Sequence, residues 1–265
     1  MDYIIYLGLG AVAGLLGGLF GMGGGAIIVP MLILAFGMQG ISPQVATHIA
    51  VATSLATILM TSIPSIYIHA QKGAVRWDLV TWLTPGILFG SVLGGMVALA
   101  LSGTNLQLLL GCFLVTVGVK MLISLPQDAS KHRLGRPELV MAGGGIGGLS
   151  AIFGIGGGSL TIPFLRYFGI RMHHAVGTAA ACGFFIALAS TLLYSFSARD
   201  DGYLPEATLG YILIPAWLGI IATSVPCARI GALVAHRLND RFLTNLFGGL
   251  LLAVGIRFIW LNLRQ

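Results

Sequence analysis

Charge is what this sequence has least of. Of 265 residues only 8% are Asp, Glu, Lys or Arg, against about 25% in a typical soluble domain. A soluble fold could not cover its surface with so few charges. A bilayer needs no such cover, and 57% of the residues are hydrophobic, so the chain reads as an integral membrane protein with the lipid bilayer as its first partner. Acidic residues are scarcest, eight in all. Asp2, Asp78, Asp128, Asp200, Asp201, Glu206 and Asp240 fall at the first residues, in loops or at expected helix ends, and Glu138 opens an expected helix. No paired carboxylates, acyl-transfer triad or metal constellation can be assembled from them, so no enzyme, metal or cofactor is expected. A cation carrier would ordinarily place a carboxylate inside the membrane. Its absence favours an anion or a neutral solute.

Cysteine is also sparse. Cys112, Cys182 and Cys227 lie inside apolar runs, match no metal spacing and give no disulfide framework. The net charge is +6, but its Lys and Arg sit in short stretches between apolar runs. That is the positive-inside bias of membrane loops rather than a nucleic-acid surface. The first residues lack the basic region of a signal peptide and are expected to stay as the first membrane segment.

What is present is a duplication. FGMGGGAIIVPML (Phe20 to Leu32) matches FGIGGGSLTIPFL (Phe153 to Leu165) at an offset of 133. Val45 to Thr47 matches Val176 to Thr178 at 131, and GCFLVTVGVK (Gly111 to Lys120) matches GGLLLAVGIR (Gly248 to Arg257) at 137. Offsets that drift so little over a hundred positions mark an internal repeat. The fold class is therefore an all-α polytopic membrane protein of two pseudo-symmetric repeats, 1–125 and 138–265, joined by a polar cytoplasmic connector, 126–137. Helices are expected at about 3–20, 26–36, 44–68, 78–101 and 104–125, then 138–153, 159–168, 173–197, 208–228 and 241–262.

Loop charges bear on the sense of the copies. Lys72 and Arg76, the connector, and Arg229, Arg237 and Arg241 are placed inside, and the acidic loop 198–207 outside. Residues 138 and 168 then both lie inside. The segment between them enters and returns as a V. Its first limb, 138–153, is only about 24 Å long at about 1.5 Å per residue, short of a full span. Each repeat has one V and three full membrane helices. Three is odd, so the copies are inverted. The alternative, 138–153 as a full span, makes them parallel.

The glycine runs carry the chemistry. Gly23, Gly24 and Gly25 match Gly156, Gly157 and Gly158, and each run opens a short helix, at Ala26 or Ser159. Paired broken helices at matching positions point to a transporter's binding site, because free N–H groups and the helix dipole at a helix start hold anions. The alternative is that the glycines only let helices pack closely. No Lys-Ser/Thr follows the glycines, so this is no phosphate loop. Pro30 and Pro163 follow each run at equal distance and act as kink or hinge candidates. In the next helix Thr47, Ser54 and Thr61 recur every seven residues, with Thr178 in the second copy. These hydroxyls could line an anion path or simply bond between helices. His48 is a candidate for anion binding or proton coupling. Against that stand its position near its helix start, where it could reach the surface, and its counterpart, Ala179.

GGLFGMGGGAIIVPML, its copy GGLSAIFGIGGGSLTIPFL, and the stretches VATHIAVATS and VGTAAACG after them resemble the duplicated signature of the sulfite exporter TauE/SafE family. The resemblance covers the whole chain. Gly23, Gly24, Gly25, Pro30, Thr47, Gly156, Gly157, Gly158, Pro163 and Thr178 match the family pattern. It implies a membrane transporter of sulfur-containing anions such as sulfite or sulfonates, in the plasma membrane of a prokaryote. A non-transporting scaffold and an anion channel are the rival readings, and a second copy of the chain is open as a partner.

Overall fold

In a computed structural model of the chain, residues 2–20, 24–123, 135–197, 204–235 and 240–263 are described. They form ten helices: α1 (Asp2–Phe20), α2 (Gly25–Met38), α3 (Pro43–Gln71), α4 (Trp77–Ala100), α5 (Gly103–Ile123), α6 (Arg136–Phe153), α7 (Gly158–Tyr167), α8 (Met172–Phe196), α9 (Ile214–Ala235) and α10 (Asp240–Leu263). Nine of the ten expected helices are present within about three residues of their expected bounds, and the one expected at 208–228 runs instead from Ile214 to Ala235. Most of the connector (residues 126–134), Gly23, and the charged loop residues Arg199, Asp200, Asp201 and Arg237 lie outside the described residues.

One stretch departs from expectation. Residues 208–213 were expected to begin a helix, but they pair as an antiparallel hairpin, β1 (Thr208–Leu209) with β2 (Ile212–Leu213). Gly210, at φ 61°, makes the turn, and α9 starts only at Ile214, with Pro215 at its second position. Apolar residues dominate both forms, so hydrophobicity could not tell them apart.

Four helices, α3, α4, α5 and α8, are long and apolar enough to cross a bilayer, while Ile214–Ile230 of α9 and Gly248–Leu263 of α10 are shorter apolar stretches. The protein is an all-α polytopic membrane protein with a small hairpin.

Helix direction follows from which glycines meet. Along α4, Gly86, Gly90 and Gly94 stand against Val140, Gly144 and Gly148 of α6, so these helices run in parallel. Gly10 and Gly14 of α1 stand likewise against Ile220 and Ser224 of α9. Without side chains at these positions the backbones approach closely, which is how membrane helices associate when no hydrophobic force drives them together. Exchanging the two halves of the chain converts one of these pairs into the other.

The pair α5 and α10 maps onto itself under that exchange. Gly111 is equivalent in the repeat to Gly248, and Gly118 to Gly255. Yet a Cβ on Gly111 would lie 3.0 Å from the carbonyl oxygen of Gly255, and one on Gly118 would lie 2.9 Å from that of Gly248. Equivalent helices thus run antiparallel where they touch, as a two-fold axis lying across them requires. Parallel copies would set Gly118 beside Gly255.

Both V shapes are also visible in the packing. α2 returns to the end where α1 begins, and the Tyr6 hydroxyl donates to Gln39 Oε1 across the opening at 2.9 Å. α6 starts with the Arg136 guanidinium 4.7 Å from the centre of the Trp82 ring. α7 comes back to place Leu165 with Leu79, near the same end of α4.

Candidate functional site

The points of the two V shapes meet inside the bundle. Gly24 takes φ +71°, a left-handed conformation that costs other residues strain, and α2 begins immediately after it. A Cβ on Gly25 would lie 2.9 Å from the Gly156 nitrogen, 3.2 Å from the Gly154 oxygen and 2.8 Å from Ile58 Cδ1. The two glycine segments therefore touch backbone to backbone, with Ile58 of α3 against both. In this arrangement no ion fits between Gly25 and Gly156.

Each helix start offers donors. The nitrogens of Ile27 and Ile28 bond the Gly24 carbonyl, and those of Leu160 and Thr161 bond the Gly157 carbonyl. The N–H groups of Gly25 and Ala26, and of Gly158 and Ser159, precede these bonds and have no acceptor within their own helix. Gly25, Ala26, Gly156 and Gly157 are buried. Pro30 and Pro163 lie inside α2 and α7, where each removes one N–H from the helical ladder.

The α3 hydroxyls are largely committed elsewhere. Ser54 Oγ donates to the Gly154 oxygen at 2.9 Å and so ties the end of α6 to α3 across 100 residues of sequence. Thr53 Oγ1 accepts from the Leu213 nitrogen at 3.1 Å, which holds the hairpin. Thr57, Thr61 and Ser62 donate to carbonyls of their own helix, those of Thr53, Ile58 and Leu59. Thr178 Oγ1 accepts from the Arg76 nitrogen at 3.1 Å, linking α8 to the loop before α4. Thr47 Oγ1 is buried without a hydrogen-bond partner among the described residues.

His48 does not reach the surface. It is 5% exposed, with Nε2 3.0 Å from the Ala98 oxygen and its ring centre 5.5 Å from that of Tyr211 in the hairpin. Ten residues of α3 separate it from Ile58, about 15 Å at about 1.5 Å per residue. Ser54 therefore stands at the glycine contact, whereas Thr47 and His48 stand one to two turns further off, beneath the hairpin. Sequence reasoning missed Ile58, the hairpin and Thr161, whose buried hydroxyl also has no partner among the described residues. Among the described residues no three His, Cys, Asp or Glu side chains group as a metal site.

An all-α polytopic membrane bundle in which two glycine-broken segments meet in the interior has the architecture of a membrane transporter. The chain belongs to the sulfite exporter TauE/SafE family, whose profile matches residues 6–258. It is 33% identical to a probable membrane transporter protein of Haemophilus influenzae over 96% of each chain. It is 28% identical to one of Methanocaldococcus jannaschii over 94% of this chain and 92% of that one, and 30% identical to one of Xylella fastidiosa over 97% and 95%. No solved structure matches it significantly.

Proposed function

We propose that this protein is a secondary transporter of a small sulfur-containing oxyanion, sulfite or an organosulfonate, bound at the meeting point of the two glycine-broken segments. The contact of Gly25 with Gly156 carries this reading, because it brings the starts of α2 and α7, both with unpaired N–H groups, to one point in the interior. The positive ends of two helix dipoles attract an anion there. The family's name supplies the sulfur. Two inverted halves rocking about the glycine contact would open it first to one side and then to the other. Lys72 and Arg76, before α4, and Arg229, within the last two turns of α9 rather than in the loop expected there, lie on the cytoplasmic side of a prokaryotic plasma membrane in this reading.

Flux is the test. The purified chain in liposomes is expected to carry radiolabelled sulfite or a sulfonate with saturation, and Gly24→Leu combined with Gly157→Leu is expected to abolish it. Absence of flux for a broad panel of anions would overturn the reading. Flux that never saturates would indicate a channel.

A further inference from the structure

The same junction occurs twice in the fold, at unequal depth. Ahead of α4 the Arg76 nitrogen donates to Thr178 Oγ1 of α8 at 3.1 Å. Ahead of α9 the Leu213 nitrogen donates to Thr53 Oγ1 of α3 at 3.1 Å. In each case the residue before a helix is held by a threonine on a long helix of the other half. Yet the repeat equivalent of Thr178 is Thr47, not Thr53. Six residues separate those two threonines, about 9 Å at about 1.5 Å per residue. The second junction therefore lies deeper, one residue from Ser54 and its bond to Gly154.

Repeat equivalence locates the difference. Pro85 matches Pro215, an offset of 130 (215 − 85). At that offset the first seven residues of α4, 77–83, correspond to 207–213, which are the hairpin and the residue before it. Arg76 corresponds to Glu206, which is exposed. Thr47 Oγ1, the acceptor that symmetry assigns to the Glu206 nitrogen, is buried at 1% exposure with no hydrogen-bond partner among the described residues. Ala207, at φ 63°, is the one non-glycine among them with a positive φ, a strained conformation that a helix would not require. The hairpin itself is wedged between α3 and α8. The Tyr211 nitrogen donates to the Tyr194 carbonyl of α8, and the Tyr211 ring faces His48 of α3. Tyr211, Ile212 and Leu213 are all buried. These two helices carry Ile58 against Gly25 and Ile186 against Gly157, so the hairpin occupies the way from the glycine segments to the end of the bundle opposite Lys72 and Arg76.

We propose that the hairpin is a displaceable plug with two seats. Seated on Thr53, as here, it closes this end of the path. The path opens when residues 207–213 wind onto α9 and the Glu206 nitrogen bonds Thr47, as Arg76 bonds Thr178 in the other half. Pro215 does not bar the helical form, since Pro85 lies inside α4. The exchange gives one half the conformation that the other already has, which is how inverted repeats alternate access. The role as a plug rests on the transport reading above.

The test uses the full chain in liposomes, with Cys112, Cys182 and Cys227 replaced and Tyr211→Cys as the reporter. Tyr211 is buried, whereas its equivalent in α4, Thr81, is exposed, so labelling by a membrane-impermeant maleimide reads displacement of the hairpin. Thr53→Val removes the deep seat and is expected to raise the labelling rate about fivefold, the effect of one lost hydrogen bond. Thr53→Ser keeps the parent rate. Thr47→Val removes the other seat and is expected to lower both the labelling rate and the maximal flux of radiolabelled sulfite about fivefold. It should not lower the unfolding temperature, because the Thr47 hydroxyl has no partner while the hairpin is seated. Equal labelling in the parent, Thr53→Val and Thr47→Val overturns the inference while transport stands. So does a Thr47→Val variant that unfolds earlier and carries sulfite at the parent rate. If the parent carries no anion, the transport reading falls, and labelling still decides whether the hairpin changes seats.

Discussion

Gly25 has no room for a side chain on any side. A methyl there meets the Gly156 backbone and the end of Ile58, and backbone cannot step aside as a flexible side chain can. Gly25→Ala is expected to cost about 1–3 kcal/mol through overpacking and to slow flux, seen as a lower unfolding temperature in detergent and a lower initial rate in liposomes. Gly8→Ala is the control, since nothing stands within 4 Å of its Cβ position; loss of helix-interior glycine should leave stability equal or slightly raised. Ser54 is the second residue whose effect can be argued. Its hydroxyl satisfies the carbonyl of Gly154 at the point where α6 ends. Ser54→Ala strands a buried acceptor and should cost about 1–3 kcal/mol, measured by the same thermal unfolding. The repeat signature exposed the glycines to sequence reading, because spacing is all it needs. The job of Ser54 was not legible, since its partner lies 100 residues away and nothing local marks it.

At the scale of elements, small residues decide which helices pair. Gly86, Gly90 and Gly94 make a stripe along one face of α4, and α6 lies along it with Gly143, Gly144, Gly147 and Gly148. Gly90→Leu would drive its side chain into the Gly144 backbone and is expected to destabilise the protein by about 3 kcal/mol or more. Gly145→Leu, one residue along α6 but facing open space, should be tolerated. Comparing the two by thermal unfolding separates a packing role from a general dislike of leucine. The helices themselves were legible, since each is an apolar run punctuated by glycine, proline or charge. The hairpin of residues 208–213 was not. Its strands are two residues each, too short to show an alternating pattern, and it is held by tertiary bonds, Leu213 to Thr53 and Tyr211 to the Tyr194 carbonyl at 3.2 Å.

For the whole molecule the sharpest question is the relative sense of the halves. In a background with Cys112, Cys182 and Cys227 replaced, Gly118→Cys paired with Gly248→Cys should cross-link on mild oxidation, and Gly118→Cys paired with Gly255→Cys should not. Parallel copies would give the reverse, because they set equivalent residues side by side. Orientation has its own measurement. A membrane-impermeant maleimide should label Lys72→Cys only from the cytoplasmic side and Ser102→Cys only from the other; labelling both from one side would contradict the inverted topology. The sequence alone determined the membrane environment, the duplication, the helix inventory and the glycine breaks, because composition, periodicity and repeat spacing are local or self-referential properties of the chain. Only the tertiary structure decided that α5 and α10 run antiparallel, that His48 sits under a hairpin, and that Gly25 rests on Gly156 beside Ile58. Each of these joins residues far apart in the chain, and such contacts are chosen by how backbones stripped of side chains can approach, which no local pattern records.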